Sequence, residues 1–191
     1  NAGAIAAASL VAGRSDGDRL ERLLAVYSTY AGRPLGIDRA VFESERATGH
    51  RNRAIGHLLR NFEILDGDPE PALDLYFQQC SGAFECRDLA LMAGTLANGG
   101  VNPQTGERAL RADLVESVLA VMTTCGMYDY SGRWAYAVGL PAKSGVGGGL
   151  LAVLPGQLGI AVFSPPLDAR GHSVRGVAVR PALSRGLRLH L

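Results

Sequence analysis

Lysine is almost absent from this chain of 191 residues: of 19 basic side chains only Lys143 is a lysine, so chemistry that needs a lysine amine has one candidate. An excess of either charge is missing as well. The 19 basic and 18 acidic groups leave a formal net charge of +1, too little to gather nucleic acid or an anionic membrane surface. A small neutral or zwitterionic ligand is the easier expectation. Cysteines number three, Cys80, Cys86 and Cys125, with no CxxC pair and no histidine cluster at zinc spacing, so neither a disulfide framework nor a metal site is expected. Their apolar neighbours predict reduced, buried thiols, which point to a cytoplasmic location. No run approaches the roughly 20 apolar residues that span a bilayer. The apolar opening NAGAIAAASLVAG lacks the basic n-region of a signal peptide and is broken by Gly3 and Gly13.

What is present is enough for a full core, with 47% of residues hydrophobic. Apolar residues return at three- and four-residue intervals through the first two thirds, predicting helices with one inward stripe each. The stripes are Leu20, Leu23, Leu24, Tyr27 and Tyr30; Ile55, Leu58, Leu59 and Phe62; Leu89, Leu91, Met92 and Leu96; and Leu114, Val118, Leu119 and Met122. Asn98-Gly99-Gly100 and Gly126 supply helix stops. After about Tyr130 the text turns to Gly, Val and short apolar runs, and Trp134–Val138, Leu150–Leu154 and Leu158–Phe163 are predicted strands. Pro155-Gly156 marks a hairpin turn between the last two. From Ser173 to Leu187 a terminal helix is suggested, although Pro181 would disturb its interior. Helices first and antiparallel strands later predict an α+β architecture, divided into a mostly helical part, 1–128, and a C-terminal part of strands and a terminal helix, 129–191.

The run Lys143-Ser144-Gly145-Val146-Gly147-Gly148-Gly149 is the most informative. Lys-Ser-Gly followed by a glycine-rich strand lets backbone approach a ligand closely and offers unpaired N–H groups. A plain glycine-rich turn with a surface lysine would read the same way. Further segments agree, in order: Asn1-Ala2-Gly3-Ala4-Ile5; Ser44-Glu45 with Arg51-Asn52; Tyr76 with Cys80-Ser81; Cys125-Gly126-Met127-Tyr128 leading to Pro141-Ala142 and that run; then Phe163-Ser164-Pro165-Pro166-Leu167-Asp168 and Gly171-His172-Ser173-Val174. On this ordered set the chain resembles the glutaminase family, within the serine β-lactamase-like and penicillin-binding-protein-like group.

The resemblance implies a β-lactamase/DD-peptidase-like α+β fold, a helical subdomain packed on an antiparallel sheet, and hydrolysis of L-glutamine to L-glutamate and ammonia. Amide hydrolysis by acyl transfer needs an activated nucleophile, donors for the tetrahedral oxyanion and a proton donor for departing ammonia. By resemblance, Glu45 pairs with the substrate α-ammonium, while Asn1 and Asn52 hydrogen-bond its carboxylate end. Amides donate there without the desolvation cost of a buried cation. Tyr76 and Tyr128 take the places of the active-site tyrosines, Tyr128 beside the nucleophile as its proton relay. The Val146 N–H is one arm of the oxyanion hole. Lys143, Ser144 and Gly145 stand where the related β-lactamases carry Lys-Thr-Gly, in electrostatic support. Read alone, Glu45 would be a solvated helix residue in the polar run 43–53, Asn52 a loop or helix-capping residue, and each tyrosine a core or interface aromatic.

The family's nucleophile is the serine of S-x-x-K, whose lysine takes the hydroxyl proton one helical turn away. No such tetrad occurs, because the residue three before Lys143 is Leu140. The family order puts it upstream of Asn1, so the chain is expected to be an N-terminally truncated piece of an active enzyme, inert alone. The resemblance also implies a homo-oligomer, dimer or tetramer, and no metal or organic cofactor. A penicillin-recognising serine hydrolase and a non-catalytic glutamine-binding relative are the alternatives.

Overall fold

The computed structural model of the chain describes residues 1–178. They fall into two units, residues 1–28 with 34–83, and residues 29–33 with those from 84 onward.

The first unit is helical: α1 (Ala2–Ser9), most of α2 (Asp16–Ala31), α3 (Arg39–Thr48), α4 (His50–Asn61) and α5 (Glu70–Cys80). Helix α5 is apolar on most sides, so it forms the centre, burying Ala72, Leu73, Leu75, Tyr76 and Phe77. Helices α1, α3 and α4 pack on it. The alanines of α1 allow a close approach, with Ile5 and Ala8 buried beside Leu59, Leu73 and Phe77. Arg19 closes the C-terminal end of α1 by donating to the carbonyls of Ala8 and Val11. Asp38 caps α3 through its carboxylate, which accepts from the Ala40 and Val41 N–H groups.

In the second unit α6 (Cys86–Ala97), α7 (Ala112–Cys125), a 3-10 turn (Tyr128–Tyr130) and α8 (Ser131–Val138) precede the strands β1 (Ala142–Ser144), β2 (Gly149–Leu154) and β3 (Leu158–Phe163). The sheet is antiparallel in the order β1-β2-β3. Strand β2 is covered on both faces: Leu150 and Ala152 lie in a cluster with Met127, Trp134 and Val138, and Val153 joins Ala93, Leu96, Leu119 and Met122. The β2–β3 hairpin pairs Leu154 with Leu158 across Pro155-Gly156, the predicted turn. Helix α6 begins with a capping box in which the Glu85 N–H donates to Asp88. Asp88 also receives two Arg33 N–H bonds, of 2.6 and 2.7 Å. That guanidinium holds the Asp88 carboxyl below its ordinary range, against desolvation.

The α+β class, the four apolar-striped helices and the hairpin agree with the sequence. Trp134–Val138 does not: it is helix α8. A strand would put Trp134, Tyr136 and Val138 on one face, but Tyr136 is 88% exposed while Trp134 and Val138 are 2% and 1% exposed. The i, i+4 pair defines the buried side, and the Trp134 indole N–H donates to the Leu140 carbonyl at 2.8 Å once Gly139 has turned the chain in a left-handed conformation. The stripes through α4 and α7 are also narrower than expected, Leu114 at the start of α7 being exposed. Leu59 is buried, whereas Leu58 and Phe62 are exposed. The cysteines are free but exposed, not buried, because each sits at a helix end, Cys80 closing α5, Cys86 opening α6 and Cys125 closing α7. Residues 174–178 are helical, and the remainder of the expected terminal helix, with Pro181, lies outside the described residues. No described helix is long and apolar enough to cross a membrane. No group of three or more His, Cys, Asp or Glu residues among the described residues could hold a metal ion.

Candidate active site

In the first unit, the Asn1 side chain donates to Asn52 Oδ1 at 2.8 Å, joining the start of the chain to α4. Glu45 lies on α3, three residues before the end of that helix, and Gly49 makes the corner into α4. A Cβ on Gly49 would meet the Phe77 ring at 2.4 Å and the Glu45 carbonyl oxygen at 2.8 Å. Only glycine lets the α3–α4 corner sit this close to α5. Two ion pairs reinforce the approach, Arg46 with Asp74 at 3.1 Å and Arg53 with Glu70 at 3.3 Å. Glu45 itself has no ion pair among the described residues. Desolvation raises the pKa of the Cys80 thiol, the Tyr76 hydroxyl acts to lower it, and the Glu45 charge raises it further. Glu45 and Tyr76 thus both act on Cys80, the last residue of α5. Nearby, burial pushes the Tyr27 phenol up to about 12, so Tyr27 stays a neutral partner to Gln79.

In the second unit, Gly126 is what brings Tyr128 to the strand. A Cβ at this position would lie 1.9 Å from the Ala142 carbonyl oxygen, so only glycine allows the end of α7 to abut β1. The Ser144 N–H donates to the Gly126 carbonyl at 3.2 Å and locks that approach. Two residues on, Tyr128 holds φ at 52°, a left-handed value that a bulky side chain rarely adopts. Such strain persists where the surroundings impose it, and it concentrates at functional sites. The Lys143 amine stands 4.7 Å from the centroid of the Tyr128 ring and donates to the Ser144 carbonyl. Although Lys143 is a surface residue, desolvation of its amine lowers its pKa from the ordinary lysine value, with the charge on Cys125 acting the other way.

The turn after β1 is closed by two bonds, Gly145 N–H to the Gly149 carbonyl at 2.8 Å and Gly148 N–H to the Gly145 carbonyl at 3.0 Å. The Val146 N–H has no partner among the described residues, and the residue is 69% exposed. It is an open backbone donor on a rigid turn, which is what an oxyanion requires. Ser144, by contrast, is buried, and its hydroxyl has no hydrogen-bond partner among the described residues.

Each expected residue thus has a definite place. Asn1 meets Asn52, and Glu45 shares Cys80 with Tyr76. Tyr128 meets Lys143, and Ser144 and Gly145 carry the Val146 turn. Sequence reasoning assigned no role to Tyr130 or His172, although the His172 ring is stacked against Tyr128 with centroids 5.7 Å apart. The only sequence signal was Asp168 four residues before His172, and nothing in that spacing shows the loop folding against Tyr128.

The class defined so far is an α+β protein that carries, in its second unit, a left-handed tyrosine beside a lysine-bearing strand and an open backbone donor on the turn that follows. The glutaminase family model matches residues 1–191, and the chain belongs to the glutaminase family. It is 58% identical over its whole length to a glutaminase of Trichormus variabilis, covering 57% of that protein. Against glutaminase 2 of Bradyrhizobium diazoefficiens it is 52% identical, covering all of this chain and 31% of that one. Among solved structures, a Bacillus subtilis glutaminase, YbgJ, in covalent complex with 5-oxo-L-norleucine superposes with a TM-score of 0.95 at 36% identity, covering 100% of this chain and 68% of that one. A probable glutaminase, YbaS, gives 0.96 at 46% identity, covering 99% of this chain and 61% of that one. The chain spans little more than half the length of its Trichormus relative.

Proposed function

We propose that the complete protein hydrolyses L-glutamine to L-glutamate and ammonia through a serine acyl-enzyme. The observation that carries this reading is the Lys143 amine over the Tyr128 ring, 4.7 Å from its centroid, on the strand that leads into the open Val146 N–H. The serine and its lysine would come from sequence outside these 191 residues, since no S-x-x-K occurs here. The serine oxygen attacks the side-chain carboxamide, and its proton leaves by way of Tyr128. The oxyanion rests on the Val146 N–H. Tyr128 returns the proton to the departing nitrogen, ammonia leaves, and water then cleaves the glutamyl ester.

Glu45 holds the α-ammonium and the Asn1–Asn52 pair holds the carboxylate, with Tyr76 bordering the same ligand. The unpaired Glu45 carboxylate supports the first assignment. The covalent adduct of the Bacillus relative supports the acyl-enzyme, because 5-oxo-L-norleucine carries a ketone where glutamine carries its carboxamide. This chemistry needs no metal or organic cofactor. Three free thiols fit a cytoplasmic protein, and the proposal extends to a homo-oligomer, dimer or tetramer.

The test is ammonia release from L-glutamine by the complete gene product, with residues 1–191 alone as the silent control. Covalent labelling by 6-diazo-5-oxo-L-norleucine counts the active sites. Glutamine binding without turnover or labelling would make the protein a binding relative and end the enzyme reading. Formation of a penicilloyl adduct would replace it with a penicillin-recognising hydrolase.

A further inference from the structure

His172 is completely buried, yet it belongs to a surface loop. The loop is closed on itself: Leu167 and Ser173 form an antiparallel bridge, and the Asp168 N–H donates to the His172 carbonyl at 2.8 Å. The Asp168 carboxylate accepts the N–H groups of Arg170 and His172, both at 2.9 Å. Those backbone bonds lead the causes that hold the Asp168 carboxyl below its ordinary range. The His172 backbone is therefore fixed before its side chain touches anything.

The ring packs against two tyrosines of the 3-10 turn. It stacks on Tyr128 with centroids 5.7 Å apart and planes at 25°, and it meets Tyr130 at 5.6 Å and 47°. Neither ring nitrogen has a hydrogen-bond partner among the described residues, and Nδ1 stands 3.6 Å from the Asp168 carboxylate, outside hydrogen-bond range. The contact is made by the flat ring. The same loop grips the turn again through Arg170, 3.7 Å from Asp129. Across the site it reaches the other proposed group as well: the Ser164 N–H donates to the Gly148 carbonyl at 3.0 Å, and the Ser173 hydroxyl donates to the Ser164 carbonyl at 2.9 Å.

We propose that His172 is a positioning residue, its ring wedged against Tyr128 and Tyr130 so that Tyr128 keeps its left-handed backbone and its hydroxyl stays aligned for proton relay. Aromatic stacking of this kind contributes beyond simple burial, and it is directional. A left-handed tyrosine has a lower-energy alternative, so removal of the wedge frees the turn to relax and carries the hydroxyl away. Misplacement of a reacting group by about 1 Å can cost roughly 100-fold in rate.

This inference rests on the glutaminase reading, and the experiment separates the two. In the complete protein, His172→Ala and His172→Phe are compared with wild type for glutamine turnover, normalised to sites labelled by 6-diazo-5-oxo-L-norleucine. The alanine variant is expected to lose at least about 10-fold in kcat per labelled site with KM within about twofold, and phenylalanine to restore most of it. A residue that served folding alone would lower the number of labelled sites and leave kcat per site intact. That outcome overturns the proposal, as does a phenylalanine variant as slow as alanine. The second readout needs no activity. With 3-fluorotyrosine incorporated and the Tyr128 resonance assigned by Tyr128→Phe, the signal should shift and broaden in His172→Ala and keep its place in His172→Phe. An unmoved resonance in the alanine variant refutes the wedge even if wild type proves inactive on glutamine, whereas an inactive wild type with the expected shift refutes only the glutaminase reading.

Discussion

The Lys143 amine lies over the ring of Tyr128, 4.7 Å from its centroid, and donates to the Ser144 carbonyl at the start of the adjacent turn. A cation over a π-face adds attraction, and desolvation lowers the pKa of the Lys143 amine even though the residue lies at the surface. Besides bonding the strand backbone, the lysine thus acts on the tyrosine. Lys143→Met, which keeps the aliphatic stem, should reduce kcat/KM for glutamine by about 100-fold in the complete protein while moving Tm by no more than about 2 °C. Ammonia release and a thermal melt measure the two together; a matching collapse in Tm would assign Lys143 to stability.

Glu45 has no ion pair among the described residues, whereas Arg46 and Arg53 beside it are both paired on α5. Glu45→Gln keeps the shape and removes the charge. Loss of a charged contact to the α-ammonium should cost about 2 kcal/mol or more, roughly a 30-fold fall in kcat/KM carried mainly by KM. Steady-state kinetics on glutamine decide it, and an unchanged KM would remove Glu45 from the ligand.

Gly126→Ala places a methyl group 1.9 Å from the Ala142 carbonyl oxygen. Backbone must move, and the expected destabilisation is about 1–3 kcal/mol, measured by denaturant unfolding of the complete protein. Activity should fall further than stability explains, because the displaced segment leads to Tyr128.

Asp88 titrates below its ordinary value in the fold, chiefly through the Arg33 hydrogen bonds. A depressed carboxylate contributes stability that is fully present above its unfolded pKa, about 3.9, and is lost as pH falls through the lower folded value. The acid limb of the stability profile should therefore steepen below about pH 4 in wild type and flatten in Asp88→Asn. The variant should be less stable at neutral pH by about 1–3 kcal/mol, since it leaves the Arg33 fork and the Glu85 N–H poorly matched. Urea midpoints at several pH values show both effects.

Helices with long apolar stripes were legible because their signal repeats over three or four turns, and the hairpin because Pro155-Gly156 separates two apolar runs of matched length. Trp134–Val138 was misread because five residues hold too little periodicity to separate a strand from a buried helix turn. The exposure of Tyr136 resolves it. The cysteines were misplaced for a related reason, since apolar neighbours in sequence occupy other faces of a helix whose last residue can still look outward.

From the sequence alone came the residue types that the chemistry requires, the ordered segments that mark the family, and the absence of any S-x-x-K tetrad, because these are properties of local order along the chain. Only the tertiary structure decided that Asn1 meets Asn52, that Tyr128 is held in a left-handed turn beneath Lys143, and that His172 enters the stack against it. Such contacts join segments tens of residues apart. The close approaches at Gly49 and Gly126 are of the same kind, since a missing Cβ leaves no trace in periodicity or charge and acts only when another segment arrives.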